Sequence, residues 1–123
     1  MLQCKLTAAI ANQRTRQTLI SLMAEHRLDA LVYPLQKRVA VPVTESNQAD
    51  RNSILASVTG FPAITVPAGF SQASTAAPLG VPVGMDILGR PWSEGRLLQI
   101  ANGFEQATHY RKPPASTPPL RTK

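Results

Sequence analysis

Apolar and polar positions divide the chain into segments of different period. Residues 5–27 contain no glycine or proline, begin with Leu6 and Ile10 and close with Leu19, Ile20 and Met23. This is the spacing of a helix with one partly apolar stripe. Its middle, ANQRTRQT, is polar all round, so the helix is expected to break or lie exposed between Asn12 and Thr18. LDALVYP, residues 28–34, is a short apolar run stopped by Pro34, too brief for a helix, and predicts a buried strand. Residues 35–49, LQKRVAVPVTESNQA, mix charge, Pro42 and small polar groups and predict a long surface loop.

The second half is more sharply punctuated. Asp50 or Asn52 is positioned to cap a short helix over Ser53 to Thr59, with Gly60 as its left-handed C-cap and Pro62 preventing continuation. Ala63 to Val66 have the β-branched content of a central strand, and Pro67 is expected to end its pairing. After the small polar link SQASTAA, PVGMDILG at 82–89 alternates Val83, Met85 and Ile87 with Gly84, Asp86 and Leu88, a second strand expected beside the first. Ser93 then caps a helix with Glu94 in its first turn, and Leu97, Ala101, Phe104 and Thr108 form a stripe widened by Leu98 and Ile100. The pattern predicts an α/β fold of about three strands with flanking helices, occupying residues 1–110. RKPPASTPPLRTK, residues 111–123, holds four prolines and no core-forming pattern, and predicts an extended or disordered tail.

Composition narrows the function classes. A chain of 123 residues suits one domain, and its apolar runs fall far short of the ~20 residues of a membrane span. The N-terminal stretch has no basic leader, so no export is indicated and the cytoplasm is the expected location. The net charge of +6 comes from scattered Lys and Arg, with no run dense enough to track a phosphate backbone and too few aromatics for a base-stacking platform, which argues against nucleic acid. The single cysteine, Cys4, makes no disulfide or metal pattern, and His26 and His109 lie far apart near predicted helix ends, so no metal or cofactor is expected. There is no phosphate loop, no GxSxG elbow and no carboxylate pair spaced for acid–base work.

Four ordered motifs carry a resemblance: Tyr33 and Pro34 closing the first strand, TGFPAITVPAGF at 59–70, PVGMDILGRPWSEGRLL at 82–98 and ANGFEQAT at 101–108. Together they resemble the C-terminal portion of the amidase signature family, whose members typically carry DALLxP, GxPAITVPAGF, GLPVGLQLIGRPFDE and AYxxEQAT in that order. The resemblance covers most of the chain from about Leu28 onward. It implies hydrolysis of amide C–N bonds by a serine nucleophile, a second serine and a lysine, in a Gly-Ser-Ser-Gly-like context absent here: no two serines are adjacent, and Lys5, Lys37, Lys112 and Lys123 lack the family's lysine context. No catalytic residue is therefore carried over, and Ser53 and Ser57 read as short-helix hydroxyls. What the resemblance does transfer is a pocket wall at Asn52, Ser57, Thr59 and Phe61, each with capping or packing as the competing role. Arg90 and Glu94 read as a local ion pair or cap, and Trp92, where the family has phenylalanine, as a packing residue.

The leading expectation is a C-terminal segment or subunit of an amidase-type hydrolase, about three strands of an amidase-like mixed sheet with flanking helices, truncated or split, inactive alone, and covering its exposed sheet edge by homodimerisation or by an N-terminal amidase chain. The alternative is a non-enzymatic binding or assembly module that keeps part of the fold.

Overall fold

The computed structural model describes residues 2–48, 52 and 54–113, with side chains from Thr7 onward. Three helices and three strands follow in the order α1 (Leu2–Glu25), β1 (Ala30–Pro34), α2 (Ile54–Thr59), β2 (Ala63–Phe70), β3 (Pro82–Gly89) and α3 (Glu94–Thr108). The mixed α/β class and the strand count agree with the sequence pattern.

The sheet is antiparallel throughout, in the order β1-β3-β2. β2 and β3 pair as neighbours, with Ile64 opposite Ile87 and Thr65 opposite Asp86, and β1 lies on the other side of β3 with Tyr33 opposite Asp86. The central strand is therefore β3, and the β-branched β2 is an edge within this sheet, contrary to expectation. The reason lies in β3's two faces. Ile87 points into a core with Val66, Leu97 and Ala101 beneath α3, while Leu88 points oppositely into a core with Met23 and Phe61 beneath α1 and α2. Both are 0% exposed. A strand covered on both faces needs apolar residues in succession, and β3 supplies them.

Pro67 does not end β2. The strand continues to Phe70 through a register shift between Pro67 and Gly69, a bulge that accommodates the missing donor on the outer edge. β1 also differs from the sequence reading: as an edge strand it is only partly covered, with Val32 60% exposed.

Helix α1 runs unbroken through its polar middle. Thr15 and Thr18 donate their hydroxyls to the carbonyls of Ala11 and Arg14 one turn back, so these residues satisfy themselves within the helix instead of breaking it. Residues 7–14 are exposed, and the first partly buried side chains among the described residues of α1 are those of Thr15 and Arg16. Asn52 and the short helix α2 fall near their predicted places, whereas the proposed cap Asp50 and the start at Ser53 lie outside the described residues, as does the tail beyond Pro113. Gly60 closes α2 at φ 67°, donating to the Ala56 carbonyl, the left-handed cap read from the sequence.

At the turn into α3 the local chemistry departs from the sequence reading. Ser93 occupies the N-cap, but its hydroxyl donates back to the Arg90 carbonyl and makes no cap bond to the helix. Arg90 does not pair with Glu94. Its Nε donates to the Leu28 carbonyl at 2.7 Å and its Nη2 to the Met23 carbonyl at 2.8 Å, tying the C-terminus of α1 to the end of β3. Trp92, at φ 62° in this turn, is 91% exposed and packs no core, and Leu98 likewise faces outward. His109 sits as expected just beyond α3, in a left-handed C-cap whose amide donates to the Glu105 carbonyl.

Candidate functional site

The four sequence-predicted wall residues lie on one continuous stretch, α2 with its flanks, and have unequal roles. Asn52 stitches the chain leading into α2 to the end of β1: its backbone amide donates to the Leu35 carbonyl at 3.1 Å and its Nδ2 to the Pro34 carbonyl at 3.0 Å. Ser57 is exposed on α2. Thr59 is 3% exposed, donates its hydroxyl to the Leu55 carbonyl at 2.7 Å and accepts from the Phe61 amide at 3.3 Å. Phe61 is buried against Met23 and Leu88. Arg16 reaches across from α1, donating to the Thr59 carbonyl at 2.5 Å while its guanidinium lies 5.2 Å from the Phe61 ring centroid. Thr59 and Phe61 thus fix the C-terminal end of α2, and Asn52 and Ser57 are the members that retain exposed surface.

A second polar group was not singled out by the sequence. On the α1/α2 side of the sheet, Tyr33, Asp86 and Thr65 form a row across all three strands. Asp86 is 4% exposed and accepts a 2.6 Å bond from the Thr65 hydroxyl. The Tyr33 hydroxyl is buried with no partner among the described residues. Burial raises the Tyr33 phenol above its ordinary value of 10, and the negative charge of Asp86 adds to the shift. At neutral pH Tyr33 is a neutral donor held near a carboxylate. The signal in the sequence was an acid in an otherwise apolar alternation, MDILG, which on a doubly covered strand has to be buried and paired.

Among the described residues no hydrogen bond joins a serine hydroxyl to a lysine or histidine side chain. Ser71 and Ser74 accept backbone amides from Val81 and Ala77 in the loop between β2 and β3, and Ser93 is bonded to Arg90. Lys112 lies 5.8 Å from the Phe70 ring centroid. Among the described residues no three His, Cys, Asp or Glu side chains converge as a metal site, and no helix is long and apolar enough to cross a membrane. The arrangement consists of a braced sheet, an anchored short helix and a buried polar row.

Comparison with known proteins gives the scaffold a context. Residues 3–98 match the Amidase family. Mandelamide hydrolase of Pseudomonas putida is 39% identical over 102 residues, covering 77% of this chain and 19% of that protein. The A subunit of glutamyl-tRNA(Gln) amidotransferase from Ralstonia pickettii is 36% identical over 101 residues, covering 75% of this chain and 19% of that protein. The crystal structure of PAM12A superimposes with a TM-score of 0.66 at 34% identity, over 85% of this chain and 21% of that one. The chain therefore spans about a fifth of the length of the curated relatives it matches.

Proposed function

The chain belongs to the amidase family, and from that premise we propose that it supplies one scaffold portion of an enzyme hydrolysing amide C–N bonds, without hydrolysing amides by itself. The observation that carries this reading is the contrast between a well-built family scaffold and the absence, among the described residues, of a serine hydrogen-bonded to a lysine or histidine. A nucleophile and its activating base must be within hydrogen-bond reach of one another to act. In this proposal the nucleophile comes from sequence outside these 123 residues, in a longer polypeptide or an N-terminal partner chain, and a homodimer is the arrangement for the chain alone. Asn52 and Ser57 contribute directly to the substrate-side wall, while Thr59 and Phe61 hold α2 in place behind it. Residues 1–110 act as the folding unit, residues 111–123 add no core to it, and the setting is cytoplasmic.

The test is turnover of a small aryl amide by the purified chain, with and without residues 111–123, beside its solution mass by light scattering over a concentration series. The expected result is a dimer with no hydrolysis above background, and unchanged melting of the shortened chain. Sustained hydrolysis by the chain alone would overturn the proposal, because it would require a nucleophile within these residues.

A further inference from the structure

Helix α1 carries two stripes. Leu19 and Met23 pack into the core with Phe61 and Leu88. A different stripe, Ile10, Gln13, Gln17, Ile20 and Ala24, recurs at alternating intervals of three and four residues, the spacing of a helix-pairing seam. Every one of these residues is exposed, Ile10 by 45% and Ile20 by 37%. Pairing through this stripe would bury both isoleucines.

The seam reads the same in both directions. Ile10 and Ile20 stand five residues either side of Thr15, and Gln13 and Gln17 stand two either side of it. A second α1 laid antiparallel about an axis at Thr15 therefore sets Ile10 against Ile20 of the second copy, and Gln13 against Gln17 of the second copy. A two-fold interface requires this self-complementarity, because each contact occurs twice. The central glutamine amides each carry donors and an acceptor and can satisfy one another. Antiparallel alignment also lays the positive end of each helix dipole beside the negative end of the other. Beside Ile20 and Ala24, the turn between β3 and α3 adds Arg90 and Pro91 to a shallow groove of about 230 Å³. The register brings the N-terminal turns of the second α1 to that groove.

We propose that α1 is a dimerisation helix, its Ile10–Ala24 stripe pairing antiparallel with the same stripe of a second copy. The inference rests on the homodimer of the proposed scaffold and fixes which surface forms it. The sheet edges are poorer partners: β1 is five residues long, and the bulge between Pro67 and Gly69 interrupts β2. A helix of 24 residues offers a strip about 36 Å long and about 10 Å wide, some 360 Å² per copy. That is below the about 800 Å² per partner of a stable complex, so the pairing is reversible and follows concentration. Arg14, exposed on the flank of the seam in both copies, weakens it further at low salt.

The experiment follows the mass of the full chain by light scattering between about 10 µM and about 1 mM. A concentration-dependent dimer is expected. Ile10→Asp should raise its dissociation constant about a hundred-fold, roughly ten-fold for each of the two symmetric contacts. Val43→Asp, on the loop after β1, should leave it unchanged. Cross-linking reads the register. In a Cys4→Ser background, an equal mixture of Ile10→Cys and Ile20→Cys chains should oxidise to the mixed disulfide. Homodisulfides should be rare, because the two copies of either position lie about 15 Å apart along the axis. A dimer that survives Ile10→Asp, or homodisulfides as the main product, would overturn the proposal and leave the scaffold reading standing. A chain monomeric throughout would overturn the proposal and the homodimer together, whereas aryl-amide hydrolysis would overturn the scaffold reading alone. The cross-linking result stands even where Ile10→Asp fails to fold, which its circular dichroism reveals.

Discussion

Replacing Arg90 with methionine tests what attaches α1 to the sheet. The guanidinium makes two charge-assisted bonds to backbone carbonyls at a helix C-terminus, Leu28 at 2.7 Å and Met23 at 2.8 Å. Hydrogen bonds to a charged group contribute about 1.5–3 kcal/mol each, and a cation at a helix C-terminus adds about 0.3–1 kcal/mol. Two features reduce the sum. Arg90 is only partly buried, so water refills some of the vacated space, and the Met23 carbonyl keeps a second donor, the Leu28 amide at 2.8 Å. The net cost of Arg90→Met is then about 2 kcal/mol, or a melting temperature about 8–10 °C lower for a domain of this size. Met23 remains 1% exposed in the core, so α1 should loosen without the sheet unfolding. Arg90→Lys keeps the charge but cannot span both carbonyls, and should recover about half of the loss. Thermal denaturation measures the magnitude, and amide hydrogen exchange locates it, with faster exchange expected in residues 19–28 and little change in β2 and β3. If methionine and lysine variants melt together, or exchange rises equally in the sheet, the bidentate tie is not what holds α1.

Two further predictions concern the polar row. Thr65→Val leaves the Asp86 carboxylate without its 2.6 Å donor and should lower the urea midpoint by an amount equivalent to about 1.5–3 kcal/mol, while Thr65→Ser should retain most of the stability; equal losses would mean the hydroxyl is not what satisfies Asp86. Because burial raises the folded-state pKa of Tyr33 above 10, the unfolded chain releases that proton first, so stability is full below pH 10 and falls as pH rises through the folded value. Tyr33→Phe should be neutral or slightly stabilising at pH 7, since the buried hydroxyl has no described partner, and should flatten the alkaline decline measured by denaturation between pH 9 and about 11.

The parts of the fold legible in the sequence were those fixed locally. The Gly60 cap, the alternation in β3 and the stripe through Leu97 and Ala101 depend on residues within a turn or two of each other, and each appears where the pattern placed it. Strand order was not legible, because whether β2 or β3 is central depends on which helices cover which face, a matter of contacts between distant segments. Arg90 was misread for the same reason: Glu94 is close in sequence, but the Leu28 and Met23 carbonyls, more than sixty positions away, are the acceptors. For the candidate site, the motif pointed to α2 and its flanks but could not tell exposed Ser57 from buried Thr59, since both lie on the same short helix. Asp86 was visible as an anomaly, yet its partners lie on two other strands.

The arrangement of α1 has a mechanical consequence. Arg16, midway along α1, grips the end of α2, and Arg90 grips the C-terminal end of α1, so among the described residues the clamps fall on the second half of the helix. The exposed residues 7–14 form a cantilever carried by that clamp. A helical stretch of this length has too few backbone bonds to offset its own nucleation in water. Its order is supported by the clamped half, so helix content and the stability of the sheet are separate quantities: the exposed turns can fray and re-form while the domain beneath them remains folded.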